Sequence, residues 1–124
     1  MDDSRRFLPL SAQQFQILLA LVDEHRHGYG IILDVEARTG GAVRLGTGTL
    51  YTAVSGLVDD GLIVESSRRP AAAADDHRRK YYRLTALGRK VLEAETARLE
   101  ALVREARRKG IRPAVTRPAW SRSK

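Results

Sequence analysis

The order of its hydrophobic periodicities is the feature that most restricts what this chain can fold into. Three short segments carry apolar residues three or four positions apart, which is the spacing of a helix that buries one face. They span about residues 11–25, 29–39 and 47–60. Two short segments, "LIVESS" and "KYYRLT", then have the composition and alternation of strands, and a long helical segment follows over residues 86–109.

This order is typical of a winged helix-turn-helix, in which three helices precede a β-hairpin. The sequence therefore predicts a mainly α-helical fold with a small β-hairpin and a long C-terminal helix. The residues expected to face the core of the three short helices are Phe15, Leu18, Leu19, Val22, Ile31, Ile32, Val35, Leu50, Val54, Leu57 and Val58.

Local signals predict where these elements begin and end. Ser11 stands three residues before Gln14, the spacing of a capping box, and Thr85 is placed to cap the last helix. Gly40 and Gly61 follow the second and third helices, where glycine adopts left-handed backbone at little cost.

A chain of 124 residues is expected to form one folded unit with distinct ends. Residues 1–10 are expected to form a flexible arm, and residues 11–85 the winged helix-turn-helix. Residues 86–109 are expected to form a dimerisation helix. Residues 110–124, which are rich in Arg, Pro and Ser, are expected to be a disordered basic tail.

The net charge of +7 lies entirely at the C-terminal end of the chain. Residues 107–124 contain 7 of the 22 basic residues and no acidic residue, which leaves 15 basic and 15 acidic residues in 1–106. The total charge therefore says nothing about the folded part, and a nucleic-acid partner must be inferred from where the charges lie. The tail could add non-specific affinity for DNA.

Composition excludes several classes of site. The chain has no cysteine, and its longest apolar run, "ILLALV", is too short to cross a bilayer, so we expect a cytoplasmic protein with no membrane partner. His25, His27 and His77 lack the spacing of a metal site. No nucleophile–base set or phosphate-binding glycine loop is visible, so we expect no cofactor and no enzymatic activity.

The outer face of the third helix is small and uncharged. Gly48, Thr52 and Ser55 lie on it, with Tyr51 on one flank, and no carboxylate occurs between Ala37 and Val58. A helix that enters a DNA groove must avoid carboxylates, and small hydroxyl side chains allow close approach and hydrogen bonds. Groove binding is one interpretation, and a plain solvent-facing or protein-contacting surface is the other.

Basic residues bracket the polar connection between the two strands. They are Arg68, Arg69, Arg78, Arg79, Lys80 and Arg83, and Asp75 and Asp76 dilute their charge. On a wing of about residues 68–80 they would contact phosphates, although a solvated charge run is the alternative. His27 and Tyr29 at the start of the second helix are also placed to touch a phosphate, and for Tyr29 packing under the next helix is the alternative.

The last helix carries an apolar seam at near-heptad spacing, which predicts a two-fold dimer. The seam consists of Leu92, Leu99, Leu102, Val103 and Ala106. Leu87 and Val91 are expected to pack on the domain. The alternative is that this half of the helix frays or folds back on the first helix.

Four stretches together resemble the PadR family of bacterial transcriptional regulators: "ILLALVDEHRHGYGI", "TGGAVRLGTGTLYTAVSGLVDDGLI", "RRKYYRLTALGR" and the single C-terminal helix. The resemblance implies a homodimeric winged helix that represses genes and, in many relatives, binds a small-molecule effector. It adds Thr47 and Thr49 to the DNA-contacting residues. It also implies that Tyr82 and Leu84 are core residues and that Tyr81 is exposed or at an interface.

These features lead to one main functional hypothesis. The chain is expected to be a sequence-specific DNA-binding regulator, a repressor that binds a pseudo-palindromic operator as a homodimer. In it, helix 47–60 would lie in the major groove and the 68–80 wing on the backbone. The alternative is a winged-helix protein-interaction module that does not bind DNA.

Overall fold

The computed structural model describes residues 3–67 and 79–114 of the chain. Its elements are a 3-10 helix Asp3–Phe7, α1 Ala12–Ala20, β1 Arg26–His27, α2 Gly28–Arg38, α3 Thr47–Asp59, β2 Ile63–Ser66, β3 Tyr81–Leu84 and α4 Ala86–Arg108. The fold is mainly helical with a small sheet, which confirms the predicted class. Within the described ranges, no helix is both long and apolar enough to cross a membrane.

The sheet has three antiparallel strands in the order β1–β3–β2. The predicted hairpin of β2 and β3 is present, with Ile63 opposite Leu84 and Ser66 opposite Tyr81. β1 was not predicted, because two residues are too short to show any periodicity. It pairs with the other edge of β3 and sets His27 opposite Tyr81, so the start of α2 is attached to the sheet.

α1 ends at Ala20, five residues before the predicted end at residue 25. Arg26 explains the difference, because its Nε donates a hydrogen bond to the carbonyl of Ala20 at 2.7 Å and satisfies that end of the helix. The same guanidinium lies 3.3 Å from Asp34 on α2. Val22, expected in the core, falls beyond the helix end and is 37% exposed.

The core lies between the three short helices, the sheet and the first half of α4. Its most deeply buried apolar side chains are Ile17, Leu18, Ile31, Val35, Leu50, Leu57, Leu62, Ile63 and Val91. These residues come from every predicted apolar stripe, which explains why the element order was readable from the sequence. Leu87 packs against this core at partial burial.

Three residues lie in environments that differ from the expectations. Val58, expected in the core, is 37% exposed in the last turn of α3. Tyr81, expected to be exposed or at an interface, is 2% exposed, and the His27 ring of β1 packs against it. Leu92, expected at the dimer seam, belongs to the core cluster of its own chain together with Val91.

The junction between the hairpin and α4 is tightly packed. Thr85 caps α4 as predicted, with its hydroxyl accepting a hydrogen bond from the Gly88 amide at 2.9 Å. The Thr85 amide donates to the carbonyl of Leu62 at 3.1 Å, so the end of β3 is bonded to the residue that precedes β2. A Cβ atom on Gly88 would overlap that same carbonyl, and the position therefore requires glycine.

The N-terminal segment is attached to α4. The segment expected to be a flexible arm contains the 3-10 helix Asp3–Phe7, which packs on α4. The Leu10 amide donates to the buried Glu95 carboxylate at 3.0 Å, and Arg98 donates to the same carboxylate at 2.6 and 2.9 Å. The Arg98 hydrogen bonds, aided by the Leu10 amide and opposed by burial, hold the pKa of Glu95 below its ordinary value.

Candidate nucleic-acid interface

α3 presents the face that the sequence singled out. Its inner side is anchored by Leu50, Val54 and Leu57, all buried in the core. The six residues predicted to contact DNA are all exposed on its outer side: Thr47, Gly48, Thr49, Tyr51, Thr52 and Ser55. The outer face is therefore uncharged up to Asp59, the last residue of the helix.

The start of α3 differs from that of the other three α-helices in the described ranges. Ser11, His27 and Thr85 each cap a helix through a side chain. α3 begins after Gly46, which makes no side-chain capping hydrogen bond. The backbone at this end can approach another molecule closely because no side chain projects from Gly46 or Gly48.

A cleft of about 290 Å³ lies beside this face, where α2, α3 and the base of the wing meet. It is lined by His27, Gly28, Tyr29, Tyr51, Arg79, Lys80 and Tyr82. Five of these residues were predicted to contact DNA from three separate stretches of sequence. The structure brings them together within one concave surface that carries two cationic side chains.

The His27 side chain connects three elements that border the cleft. Its Nδ1 accepts a hydrogen bond from the Gly30 amide at 3.0 Å and so caps α2. Its Nε2 lies 2.8 Å from Nη1 of Arg79. The ring packs edge-on against Tyr81 with the centroids 5.0 Å apart. The strand β1 therefore fixes where the Arg79 side chain stands relative to α2.

Tyr29 and Tyr51 provide hydroxyl groups at the mouth of the cleft. Their side chains are 55% and 47% exposed, so Tyr29 does not pack beneath α3. The Tyr51 ring lies over Gly28 so closely that a Cβ atom there would overlap it. Burial raises the pKa of Tyr82, and electrostatic repulsion from Tyr51 and Glu65 raises it further. The Tyr82 hydroxyl is therefore protonated at neutral pH.

Gly28 and Tyr82 were not among the predicted site residues. The sequence does carry a signal for Gly28, the first glycine of "HGYG", but a glycine between two helical segments equally indicates a simple break. Tyr82 gave no such signal, because its approach to the cleft depends on the pairing of β1 with β3.

Part of the predicted wing lies outside the described residues. Arg68, Arg69 and Arg78 fall there, as do His77 and the tail after Ala114. Arg79 and Lys80 are described and stand at the base of the wing, at the edge of the cleft. His25 lies with its Nδ1 2.5 Å from the Ser66 hydroxyl. No cluster of possible metal ligands occurs in the described part of the chain.

The second half of α4 exposes most of the predicted seam. Leu99, Leu102 and Val103 are exposed, at 37%, 49% and 52%, and Ala106 is half-buried. Leu99 and Val103 also line a groove of about 410 Å³ together with Phe15 of α1. These apolar residues form one continuous strip, since they recur three or four positions apart on the helix.

The sequence and the fold both match known proteins. The family profile described as "Transcriptional regulator PadR-like family" matches residues 17–94, more than half of the chain. A transcriptional regulator from Clostridium thermocellum is 24% identical, with a TM-score of 0.66, over 87% of this chain and 93% of that chain. No curated protein sequence matches the chain.

Two further solved structures share the fold. A PadR family transcription regulator from Clostridium difficile is 23% identical, with a TM-score of 0.64, over 79% of this chain and 97% of that chain. Bacillus subtilis PadR, solved in complex with operator DNA, is 21% identical, with a TM-score of 0.57. That match covers 68% of this chain and 47% of the other. At these identities the likeness shows the fold alone.

Proposed function

The chain belongs to the PadR-like family of transcriptional regulators, and from that membership we propose that it is a sequence-specific DNA-binding repressor. It acts as a homodimer on a pseudo-palindromic operator. Residues 11–85 form the DNA-binding part, and the α4 seam joins two copies. The family consists of transcriptional regulators rather than enzymes.

The observation that carries this proposal is the cleft beside α3. An uncharged helix face gives little attraction to DNA by itself, because it carries no cation. The cleft adds Arg79 and Lys80 along the Tyr51 flank of that face, together with the hydroxyl of Tyr29. A helix without carboxylates can enter a groove of the duplex, and cations beside that helix can bind the phosphates along the groove.

In the proposed complex α3 lies in the major groove with its first turn nearest the base pairs. Thr49, Thr52 and Ser55 would hydrogen-bond base edges or phosphates, and Gly48 would let the backbone approach closely. His27, Tyr29, Arg79 and Lys80 would hold the adjacent phosphates. Arg68, Arg69 and Arg78 of the wing would extend those contacts along the backbone.

The exposed strip on α4 supports the homodimer. Leu99, Leu102, Val103 and Ala106 form an apolar surface on a helix that continues past its own domain. A second copy would bury this strip and remove it from water. Two-fold symmetry then places two α3 helices on half-sites about 34 Å apart, or a multiple of that distance, along the duplex.

A small-molecule effector completes the proposal. The groove of about 410 Å³ beside the seam is within the usual size range of small-molecule sites, and Phe15, Leu99 and Val103 give it an apolar lining. An apolar or aromatic molecule bound there would alter the packing of α1 against α4. We expect such a molecule to weaken DNA binding, because α1 also packs on α3.

The test is footprinting of the purified full chain on the DNA upstream of its own gene and on duplexes selected from a random library. We expect two protected half-sites related by two-fold symmetry. If the protein protects no upstream DNA and selects no library duplex at low salt, the result would instead support the alternative, a winged-helix module that binds another protein. Two copies on one symmetric site would establish the dimer in the same experiment.

A further inference from the structure

A second concave surface borders α3 on the flank away from the cleft. It has a volume of about 680 Å³ and lies between α3 and the start of α1. α3 contributes only small side chains to it, among them Gly48, Thr52 and Gly56. Successive helix residues are 100° apart, so Tyr51 marks one edge of the exposed face and Ala53, which also lines this surface, marks the other.

Gln13 is the exposed one of two glutamines that line this surface at the start of α1. Ser11 and Gln14 also line it, but they are joined to each other in the capping box. The Gln14 amide donates to the Ser11 hydroxyl at 3.0 Å, and the Gln14 side chain accepts from the Ser11 amide at 2.9 Å. Gln13 is exposed, so its side-chain amide is accessible to a ligand.

The position of Gln13 relative to α3 is fixed by the core. Ile17 and Leu18 of α1 are fully buried. The residue before the cap, Leu10, is tied to α4 through Glu95. α1 therefore starts at a defined place, and a ligand that contacts both Gln13 and α3 meets two rigidly related surfaces.

We propose that Gln13 is a DNA-contacting residue that donates its side-chain amide to a phosphate of the strand opposite the one held by the cleft. This inference rests on the proposed function. The major groove is about 12 Å wide and a helix with its side chains about 10–12 Å across, so both backbones run along the flanks of a helix that enters it. The cations of the cleft would contact phosphates on one flank of α3, and the neutral side-chain amide of Gln13 would contact a phosphate on the other.

The experiment compares Gln13→Lys with Ala101→Lys in the full chain. Ala101 is an exposed neutral residue on the face of α4 opposite the seam, so it receives the same charge far from the groove. DNA affinity is measured by fluorescence anisotropy at several salt concentrations, with a duplex selected from a random library and with a scrambled duplex. We expect Gln13→Lys to steepen the salt dependence by about 0.9 per added phosphate contact, relative to Ala101→Lys.

Gln13→Ala completes the test and separates the possible outcomes. A phosphate contact predicts a loss of about tenfold on the selected and scrambled duplexes alike. A loss on the selected duplex only would mean that Gln13 reads a base edge, which overturns the phosphate assignment. Equal salt slopes for Gln13→Lys and Ala101→Lys would overturn it too. If the wild-type chain selects no duplex from the library, the proposed function itself fails.

Discussion

Nε2 of His27 lies 2.8 Å from Nη1 of Arg79, which joins the residue before α2 to the base of the wing. Nδ1 of the same ring accepts the Gly30 amide hydrogen at 3.0 Å, so His27 contacts both the start of α2 and the wing base. In the proposed complex a DNA phosphate would accept from Arg79, whose side chain His27 helps to position.

Replacing Arg79 by alanine is expected to weaken binding to selected and scrambled DNA to a similar extent. A phosphate contact carries no sequence information, and its loss should flatten the salt dependence by about 0.9 for each protomer bound. Anisotropy titrations at several salt concentrations measure both effects. Arg89→Ala is the matched control, because Arg89 is exposed on α4 and does not line the cleft. Equal slopes for the two variants would exclude Arg79 as a phosphate contact.

Replacing Thr52 by glutamate is expected to reduce DNA affinity by about tenfold or more, because it puts a carboxylate on the face that would enter the groove. Thr52 is exposed, so the fold should tolerate the change. Ala101→Glu carries the same added charge and should bind DNA nearly as well as the wild type. Thr52→Ala should instead lower the preference for the selected duplex over the scrambled one. Unchanged binding by Thr52→Glu would show that this face does not meet DNA.

Replacing Gly88 by alanine is expected to destabilise the fold by about 1–3 kcal/mol, since the new methyl group would overlap the Leu62 carbonyl. Gly56→Ala is the control, because a Cβ atom there meets nothing within 4 Å. That change should stabilise α3 by up to about 1 kcal/mol through helix propensity. Urea unfolding followed by circular dichroism measures both. A stable Gly88→Ala protein would mean that the junction can relax.

Replacing Leu102 by lysine is expected to convert a dimer into a folded monomer. The side chain is 49% exposed in the single chain, so its loss costs the monomer little, whereas a charge in the seam would be buried by a second copy. Sedimentation equilibrium gives the mass, and Ala101→Lys should remain dimeric. A monomeric wild type at micromolar concentration would contradict the dimer.

Replacing Glu95 by glutamine is expected to lower stability at neutral pH by about 1–3 kcal/mol, because the buried carboxylate accepts hydrogen bonds from Arg98 and Leu10. The folded pKa of Glu95 lies below its ordinary value of 4.5. Its contribution is therefore present above that value and is lost as the pH falls through the folded pKa. The stability gap between the wild type and the variant should narrow on acidification, as measured by urea unfolding from pH 7 to pH 3. If the difference in the free energy of unfolding did not change with pH, the charged pair of Glu95 and Arg98 would be excluded as the cause of that difference.

Much of the fold was readable from the sequence because its signals are local. The capping box of Ser11 and Gln14 depends on residues three apart, and so does the cap that Thr85 provides to Gly88. The inner face of α3 follows from the spacing of Leu50, Val54 and Leu57. Each signal lies within one element, and the sequence shows it directly.

The parts that were missed depend on contacts between distant residues. β1 exists because His27 meets Tyr81, and the early end of α1 depends on Arg26 reaching back from that strand. The same pairing buries Tyr81, which the resemblance had suggested would be exposed or at an interface. For the site, the sequence named most of the residues that line the cleft, but only the folded chain brings Arg79 against His27.

The junction of Leu62, Thr85 and Gly88 has a mechanical consequence for how two copies would sit on DNA. Only Thr85 separates β3 from α4. A change in the direction of α4 would therefore be transmitted directly to the DNA-binding part of the same chain. α4 has 23 residues and is therefore about 35 Å long. A rotation of about 10° at its far end would shift the near end by about 6 Å, nearly two base-pair steps. A change of this size in the angle at which two copies pack along the seam would decide whether both match the operator in phase.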